Sequence, residues 1–330
     1  MQNILLVGAG TMGSVHAQAY AEMDNVNLVG IVDQDITRCQ EMAEMYGTKA
    51  YDSFEKAMKE LSDLLDVVDI CVPTHLHKQY VLAVADYGKH VICEKPIARN
   101  AQEAREMIDY CKEKQVKLFV GHVVRFFHEY VRAKELIDAG KIGKVAVARM
   151  MRGGIFPTAW NDWYTDYNKS GGLMLDLVIH DFDFLRWCFG EVERVYAKSL
   201  LGRNYLRLEY GLVTLRFKSG VIAHLEGTWA HDGFSSRYEI AGEKGMIDYD
   251  STAASPITSF ERNTNQKGAG GVAVPESPLK HDPYFLELQH FIKCIELDEE
   301  PLITPEDAYK AVEIACAALE SVETGKPVFL

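Results

Sequence analysis

The first strand and the loop after it read Ile4-Leu5-Leu6-Val7-Gly8-Ala9-Gly10-Thr11-Met12-Gly13. A short apolar strand that runs into Gly-x-Gly-x-x-Gly and then into a helical pattern is typical of a dinucleotide-binding βαβ unit. Gly8 permits the tight turn, Gly10 lets the backbone approach a pyrophosphate, and Gly13 allows close helix–strand packing. The helix start offers free N–H groups to phosphates, so we expect this loop, including Thr11 and Met12, to hold a cofactor.

The end of the second strand indicates which dinucleotide binds. The strand covers residues 27–32 and ends at Asp33, about 20 residues after the glycine loop, where an acidic residue accepts hydrogen bonds from the adenosine ribose. Its charge repels a 2′-phosphate, so we expect NAD in preference to NADP. Arg38 is the opposing observation, because a nearby arginine can hold that phosphate. We place Arg38 on the following helix, facing solvent or the adenine.

The rest of the first third alternates apolar strands with helical patterns, which predicts a doubly wound parallel sheet. The predicted strands are 67–72, 90–93 and 117–120, and the predicted helices are 53–61, 76–86 and 101–113. After residue 122 the rhythm changes, because strands follow one another with glycine-containing turns. The sequence therefore predicts a Rossmann domain over 1–122 and an α+β domain over 123–330, built on a large, mainly antiparallel sheet; its open face is what the family resemblance described below implies.

The second domain is predicted in more detail as follows. Its strands are 144–152, 192–201, 205–218, 221–229, 237–241 and 246–249, and its helices are 128–139, 283–297 and 305–324. The glycine- and asparagine-rich stretch from Thr264 to Gly271 is predicted to be an exposed loop.

The strand 90–93 delivers Glu94, Lys95 and Pro96 at its carboxyl end. Ligands of open parallel sheets bind just beyond the carboxyl ends of the strands, so Lys95 is placed where cofactor and substrate can meet. Pro96 has no backbone N–H and a fixed φ, which stops the strand and stiffens the backbone at Lys95. Taken alone, Glu94 and Lys95 could equally be solvated charges at a strand end.

Another strand end carries Val72, Pro73, Thr74 and His77. We expect this loop to pass near the nicotinamide side of the cofactor, with Thr74 capping the next helix. For His77 the alternative is a surface histidine in the first turn of that helix.

The second domain contains Gly171-Gly172 followed by Asp176, His180 and Asp183, which lie at i, i+4 and i+7 and so share one face of a helix. A carboxylate and an imidazole one turn apart can hold a substrate hydroxyl and help to move its proton. The alternative is a capped, partly buried polar helix start. Asp176 stands among leucines, where a purely structural carboxylate would be costly, and this favours a functional site.

Composition limits the class of protein. The net charge of −13 argues against nucleic acid or an anionic membrane as a partner, and the sequence has no apolar run long enough to span a bilayer. The start of the sequence has no signal-peptide pattern. The seven cysteines are scattered without metal-ligand spacing, which is typical of a reducing compartment. We expect a cytoplasmic protein with no bound metal.

Five motifs together resemble the Gfo/Idh/MocA oxidoreductases, which include glucose–fructose oxidoreductase and inositol dehydrogenase. They occur in the family's order, and the closing helices are similar to the family's tail. The motifs are Gly8-x-Gly10-x-x-Gly13, Pro73-Thr74-His75-Leu76-His77, Glu94-Lys95-Pro96, Gly121-x-x-x-Arg125-Phe126 and Gly171-Gly172…Asp176…His180-Asp181. The stretch from Ile179 to Asp183 is most similar to the inositol dehydrogenase branch.

The resemblance implies Lys95 and His180 as the catalytic pair, with Asp176 holding the substrate hydroxyl or the imidazole. It also implies a sugar or polyol substrate, and a homodimer or homotetramer built through the open sheet face. The predicted substrate contacts, besides the catalytic residues, are Arg125, Asn161, Trp163, Tyr164 and Asp183. For Trp163 and Tyr164, stacking on a sugar face and ordinary packing are equally open.

Two other classes of function are compatible with the sequence. An NAD-assisted glycoside-cleaving enzyme on the same fold would oxidise its substrate transiently and leave the cofactor unchanged overall. A dinucleotide-binding regulator would have no turnover, but it would need only the cofactor site and not Lys95, Asp176 and His180 as well.

Overall fold

The computed structural model describes residues 1–200, 207–253, 257–261 and 282–330. The chain forms two compact units, the first from residues 1–126 with 282–309 and the second from the described parts of 127–280 with 310–330. The first unit thus includes 282–309 as well as 1–126, whereas the predicted division assigned all of 123–330 to the second domain. The predicted loop from Thr264 to Gly271 and the start of the predicted strand at Tyr205 lie outside the described residues.

The first unit contains a parallel sheet of six strands among its described residues, in the order β3-β2-β1-β4-β5-β6. The strands are β1 Gln2–Val7, β2 Val26–Val32, β3 Lys49–Tyr51, β4 Val67–Ile70, β5 His90–Glu94 and β6 Leu118–Gly121. Strands are added on one side of β1 up to β3 and on its other side from β4 onward. This reversal creates a crevice at the carboxyl ends of β1 and β4, where dinucleotides bind in such sheets. The predicted doubly wound sheet is confirmed.

Helices connect these strands. They are α1 Thr11–Ala21, α2 Ile36–Met45, α3 Phe54–Leu61, α4 His77–Asp86 and α5 Ala101–Glu113. The side chains of Asp35, Ser53 and Asn100 accept hydrogen bonds from the first backbone N–H groups of α2, α3 and α5. In contrast, α1 begins after Gly10 without a capping side chain from the described residues. Its first N–H groups therefore remain available for an anion.

The second unit contains a sheet of eight strands among its described residues, in the order β13-β12-β11-β7-β10-β9-β8-β14. The strands are β7 Val145–Ile155, β8 Val192–Ser199, β9 Tyr210–Phe217, β10 Ile222–Thr228, β11 Ala230–Gly242, β12 Gly245–Asp250, β13 Ile257–Glu261 and β14 Val328–Phe329. The pairing of β7 with β10 is parallel, and the other neighbours pair antiparallel. The sheet is therefore mixed and mostly antiparallel, as predicted.

One face of this sheet is buried and the other is open. Along β9 the buried Val213, Leu215 and Phe217 alternate with less buried residues that include Leu212, which is exposed. The open face also carries charge, since Arg149 on β7 pairs with Glu239 on β11. It is thus a surface of mixed apolar and charged side chains.

The helices of the second unit up to β8 are α6 His128–Asp138, α7 Tyr167–Ser170, α8 Gly172–Asp176 and α9 Ile179–Phe189. Two more helices close the chain, α10 Pro283–Glu296 and α11 Pro305–Thr324. Helix α10 belongs to the first unit, where Phe291 packs on Phe119 of β6 with ring centres 5.1 Å apart. Among the described residues, no helix has the length and apolar character needed to cross a membrane.

Candidate active site

The glycine loop has the geometry that its sequence predicts. Gly8 has φ +107°, and a Cβ there would lie 2.4 Å from the carbonyl oxygen of Cys71. A Cβ on Gly13 would lie 1.8 Å from the carbonyl oxygen of Gly8, so both positions require glycine. A Cβ on Gly10 would meet no atom of the described residues within 4 Å. The space above Gly10 and the uncapped start of α1, with Thr11 and Met12 in its first turn, fit a dinucleotide pyrophosphate.

Asp33 lies directly after β2 and holds the loop. Its Oδ2 accepts a hydrogen bond from the Ala9 N–H at 2.7 Å, and its Oδ1 accepts one from the Asp35 N–H at 2.8 Å. Arg38 Nη2 donates to both oxygens of Asp33, at 2.8 and 2.9 Å. Arg38 lies on α2, as predicted, and its side chain is partly exposed while its guanidinium contacts Asp33. That it faces the adenine stays a prediction.

The loop after β4 contains Val72, Pro73 and Thr74. Thr74 is buried and begins a single 3₁₀ turn, Thr74–Leu76, so its predicted role as the cap of the following helix is wrong. His77 is also buried, and the alternative of a surface histidine fails. Its Nδ1 lies 2.9 Å from the carbonyl oxygen of Pro96 and its Nε2 lies 2.8 Å from that of Val72. His77 therefore connects the carboxyl ends of β4 and β5.

Strand β5 ends at Glu94, and Lys95 and Pro96 follow at the edge where the crevice lies. The Lys95 backbone N–H donates to Glu94 Oε2 at 2.9 Å. Glu94 is buried and Lys95 is half-buried. Glu94 is consequently not a solvated charge but a buried carboxylate that fixes the backbone at Lys95.

Behind Glu94 lies a buried group of polar side chains. His16 on α1 lies between two carboxylates, with Nδ1 2.8 Å from Asp69 Oδ2 and Nε2 3.2 Å from Glu94 Oε1. Tyr20 also donates its hydroxyl to Asp69 Oδ2 at 2.8 Å. The ligand atoms of His16, Asp69 and Cys71 are close enough to share a cation, but the short His16–Asp69 contact already pairs two of them.

The protonation states in this group follow from burial and charge. Burial by itself lowers the pKa of His16, but Cys71 and Asp69 outweigh burial and raise that pKa well above its usual value. Burial also raises the pKa of the Cys71 thiol. Burial raises the pKa of Glu94, but contact with His16 lowers it more, and the net shift is downward. His16 thus lies between two carboxylate groups, a position that favours its protonated form.

In the second unit the predicted single helix is two helices. Both Leu177 and Val178 donate their N–H to the carbonyl oxygen of Leu173, and this irregular hydrogen bonding separates α8 from α9. Asp176 ends α8 and His180 lies in the first turn of α9, so the predicted continuous face through Asp183 is wrong. Asp176 and His180 are half-buried, whereas Asp183 is buried.

The residue after His180 is anchored to the sheet. Arg152 on β7 donates from Nε and Nη2 to the Asp181 carboxylate at distances from 2.6 to 3.1 Å. Its Nη2 also donates to the Tyr130 hydroxyl at 2.8 Å, and all three side chains are buried. This pair fixes the first turn of α9, on which His180 stands.

Glu209 is a buried carboxyl that fixes the start of α8. Its Oε2 accepts a hydrogen bond from the Leu173 N–H at 2.9 Å. A Cβ on Gly172 would lie 3.2 Å from the same oxygen. Burial raises the pKa of Glu209, and the nearby Asp176 adds to this, against hydrogen bonds from Tyr167 and Leu173. The Gly171-Gly172 turn therefore needs small residues beside Tyr167 and Glu209.

The other predicted substrate contacts differ in their surroundings. Asn161 is exposed and has φ +53°, and Trp163 stacks on Tyr164 with ring centres 4.0 Å apart. Arg125 is 2% exposed, and its Nη1 donates to the Leu302 carbonyl at 2.9 Å and contacts Asp307 at 3.3 Å. These contacts hold Arg125 within the first unit, and its role in substrate binding stays a prediction.

The sequence analysis missed His16, Asp69, Arg152 and Glu209. The signal for Asp69 was present, because a carboxylate inside the apolar run Val67–Ile70 is costly unless it has a partner. The cost of a buried carboxylate identified Asp176 among its leucines, and it marks Asp69 in the same way. The partners themselves could not be identified, since they are distant in sequence.

Comparison with known proteins agrees with this geometry. Residues 2–122 match the family described as "Oxidoreductase family, NAD-binding Rossmann fold", and residues 130–248 match the GFO/IDH/MocA C-terminal domain. The chain is 33% identical to the myo-inositol 2-dehydrogenase of Thermotoga maritima, over 98% of this chain and 97% of that one. It is 29% identical to the scyllo-inositol 2-dehydrogenase (NAD(+)) of Bacillus subtilis, over 98% and 95% of the two chains.

A solved structure shows the same fold. Levoglucosan dehydrogenase in complex with NADH and levoglucosan matches with a TM-score of 0.88 at 24% identity, over 100% of this chain and 99% of that chain. Fold, glycine loop and family matches together define an NAD-binding oxidoreductase with a Rossmann domain. More narrowly, the chain belongs to the Gfo/Idh/MocA family.

Proposed function

We propose that this protein is an NAD-dependent dehydrogenase that acts on a CH–OH group of a sugar, an inositol-like polyol or a related cyclic alcohol. The observation that carries the proposal is Lys95, fixed through its backbone to the buried Glu94 at the carboxyl end of β5. Full-length relatives named as inositol 2-dehydrogenases support the substrate class. When bound, NAD supplies the acceptor for the hydride that leaves the substrate carbon.

The residues of the chain handle the proton. We assign to Lys95 the removal of the hydroxyl proton as the carbon loses its hydride, and to His180 the role of its partner in moving that proton. Asp176 holds the substrate hydroxyl or the His180 imidazole. The half-buried positions of all three side chains support these roles, since a group that handles substrate has to be reachable.

We assign substrate contacts outside the proton path to Asn161, Trp163, Tyr164 and Asp183. Asn161 is exposed and the Trp163–Tyr164 pair offers an aromatic surface, which suits the hydroxyls and the apolar face of a sugar ring. Asp183 is buried, so its carboxylate would bind a hydroxyl only at the deepest point of a site.

We assign the cofactor site to the glycine loop, Asp33, the loop 72–77 and the stretch 94–96. For each of these, position at the carboxyl edge of the parallel sheet supports the assignment. Arg38 belongs to the site as the side chain that a ribose has to replace at Asp33.

The test is a screen for NADH formation by absorbance at fixed enzyme and NAD concentrations. The panel contains cyclitols, hexoses, sugar acids and glycosides. NADH formation with cyclitols or sugars supports the proposal. Glycoside cleavage without net NADH would instead identify the glycoside-cleaving class, and tight NAD binding without turnover of any compound would identify a regulator.

We further propose that the protein forms a homodimer or homotetramer through the open face of the second sheet, and that it works in the cytoplasm. Alternation of buried and less buried residues along β9 leaves that face uncovered, and its apolar and charged side chains suit a self-complementary contact. Light scattering that shows only a 37.1 kDa species at micromolar concentration would reject the assembly.

A further inference from the structure

We propose that His16 is a positioning residue for Lys95, acting through the carboxylate of Glu94. This inference rests on the proposed role of Lys95 in proton transfer and adds a residue that does not touch substrate. His16 would do two things for the reaction. It would hold the carboxylate that fixes the Lys95 backbone, and it would balance the negative charge of that carboxylate beside the Lys95 ammonium.

The contacts run in one line from the helix to the strand end. Asp69 at the end of β4 holds His16 Nδ1 at 2.8 Å, and His16 Nε2 lies 3.2 Å from Glu94 Oε1. The other oxygen of Glu94 accepts the Lys95 N–H at 2.9 Å. All these groups belong to the first unit, and His16, Asp69 and Glu94 are each less than a tenth exposed.

The contact between His16 and Glu94 depends on charge. Nε2 of His16 lies 3.2 Å from Glu94 Oε1, within ion-pair distance, and this contact lowers the pKa of Glu94. A neutral side chain that only filled the space would therefore lose most of the attraction. In a buried site this charge matters more than it would in water, because the surroundings screen it weakly.

Gly121 leaves space beside the carboxyl group of Glu94. A Cβ on Gly121, at the end of β6, would lie 3.2 Å from Glu94 Oε1 and 3.6 Å from Glu287 Oε2. A side chain at this position would therefore crowd the Glu94 carboxyl group. Glycine at position 121, which is part of the motif Gly121-x-x-x-Arg125, leaves room for the carboxyl group.

Several titratable groups surround the contacts between His16, Glu94 and Lys95, and each can contribute to the pH dependence of activity. His16 and Glu94 are faced by Tyr20 on α1, Asp69 and Cys71 at β4, His77 on α4, Lys95 after β5, and Tyr284 and Glu287 on α10. Among them Asp69 and Glu287 are further acidic groups, and His16 is the buried basic group that contacts both Asp69 and Glu94.

The arrangement also connects two functions of the domain. His16 stands on α1, whose start offers N–H groups to the cofactor phosphates, and Glu94 stands on β5, which ends at Lys95. The imidazolium therefore couples the phosphate-binding helix to the end of the catalytic strand. Misplacement of a reacting group by about 1 Å can cost about 100-fold in rate, so even a small release of this coupling would be measurable.

The experiment replaces His16 with Gln, which removes the charge and keeps much of the size. The matched control is His90→Gln, since His90 begins β5 at the end away from Glu94 and its Nδ1 accepts the Lys117 N–H at 3.1 Å. Both variants are compared with the wild type for thermal unfolding, NAD affinity by fluorescence titration, kcat, KM and the pH profile of kcat/KM. A second readout is the pH at which Lys95 reacts half-maximally with an acylating reagent, mapped by mass spectrometry without substrate.

We expect His16→Gln to bind NAD within about threefold of the wild type and to lose about 10- to 100-fold in kcat. The acid limb of its pH profile and the Lys95 labelling midpoint should both move up by about one pH unit. The reason is that the less compensated Glu94 carboxylate favours the protonated amine. In His90→Gln both pH midpoints should stay in place.

A folded His16→Gln variant with wild-type kcat and unshifted midpoints would overturn the inference. So would a variant that loses only NAD affinity, because His16 would then serve the phosphate loop alone. If His16→Gln does not fold, Glu94→Gln tests the inference instead. Removing the negative charge should lower kcat and should move the acid limb of the pH profile and the Lys95 labelling midpoint to lower pH. A wild type without turnover on any compound of the panel would instead remove the proposed function, and the labelling midpoints would still test the electrostatic coupling.

Discussion

The guanidinium of Arg152 binds the carboxylate of Asp181 in a buried, bidentate pair, directly beside His180 in sequence. Removing one partner of a buried pair leaves an uncompensated charge, which costs about 3–5 kcal/mol. We expect Arg152→Ala to lower the free energy of unfolding of the second unit by about that amount, as measured by urea denaturation.

The same strand provides the control for this pair. Arg149 also lies on β7, but it pairs with Glu239 on the open face, where the Arg149 side chain is more than half exposed. Exposed pairs contribute about 0–1 kcal/mol, so Arg149→Ala should be nearly neutral in the monomer. Equal losses in the two variants would mean that burial does not set the strength of the Arg152–Asp181 pair.

The glycine loop gives a prediction that separates folding from binding. Gly10→Ala should fold with wild-type stability, because its Cβ meets no described atom, and should bind NAD at least tenfold more weakly, because that space belongs to the pyrophosphate. Gly13→Ala should be strongly destabilised, since its Cβ would lie 1.8 Å from the Gly8 carbonyl oxygen. Calorimetry and NAD titration measure the two effects. Unchanged NAD affinity in Gly10→Ala would place the cofactor elsewhere.

The contact between Arg38 and Asp33 predicts a competition. Arg38→Ala frees both carboxylate oxygens for ribose hydroxyls and should tighten NAD by about three- to tenfold, in the range of one net hydrogen bond. Asp33→Ser should narrow the preference for NAD over NADP, since it removes both the acceptor and the repulsion. Kd values for both cofactors test this. A wild type that uses NADP better than NAD would make Arg38 the determinant instead.

The sequence predicted the parts of the structure that depend on local pattern. The apolar run Val67–Ile70 and the glycine loop are short, contiguous signals, and the strand and the turn formed where expected. The break between α8 and α9 was not predicted, because periodicity assumes one continuous helix. The irregular hydrogen bond from Val178 to Leu173 changes which of the later residues share a helix face with Asp176.

Contacts between distant residues could not be predicted. The partners of Arg125, Leu302 and Asp307, lie about 180 residues away in sequence, and no local pattern indicates them. The contact of Arg38 with Asp33 depends on a side-chain conformation that no pattern encodes. The buried pairs of His16 belong to the same class.

The buried charges of the first unit predict a pH dependence of stability. The pKa of His16 is raised, so its contribution is complete below the usual histidine value of 6.5 and is lost as pH rises through the folded value. The pKa of Glu94 is lowered, so its contribution is complete above the usual value of 4.5 and is lost as pH falls. Thermal unfolding should therefore show greatest stability from these groups between about pH 4.5 and 6.5.

The variant His16→Gln is the control for the alkaline side of this profile. It should flatten the decline in melting temperature above about pH 6.5, and His90→Gln should not. An unchanged alkaline decline in His16→Gln would mean that His16 is neutral in the folded protein.

The role of Lys95 in proton transfer is tested most directly by comparing NAD binding with turnover in Lys95→Met. Methionine keeps much of the side-chain length and removes the amine, while the glycine loop and Asp33 remain to hold the cofactor. We expect NAD affinity near that of the wild type and a fall in kcat of about 10²–10⁴, as for loss of a general acid or base. A Lys95→Met variant that binds NAD normally and still turns over near the wild-type rate would contradict this role of Lys95.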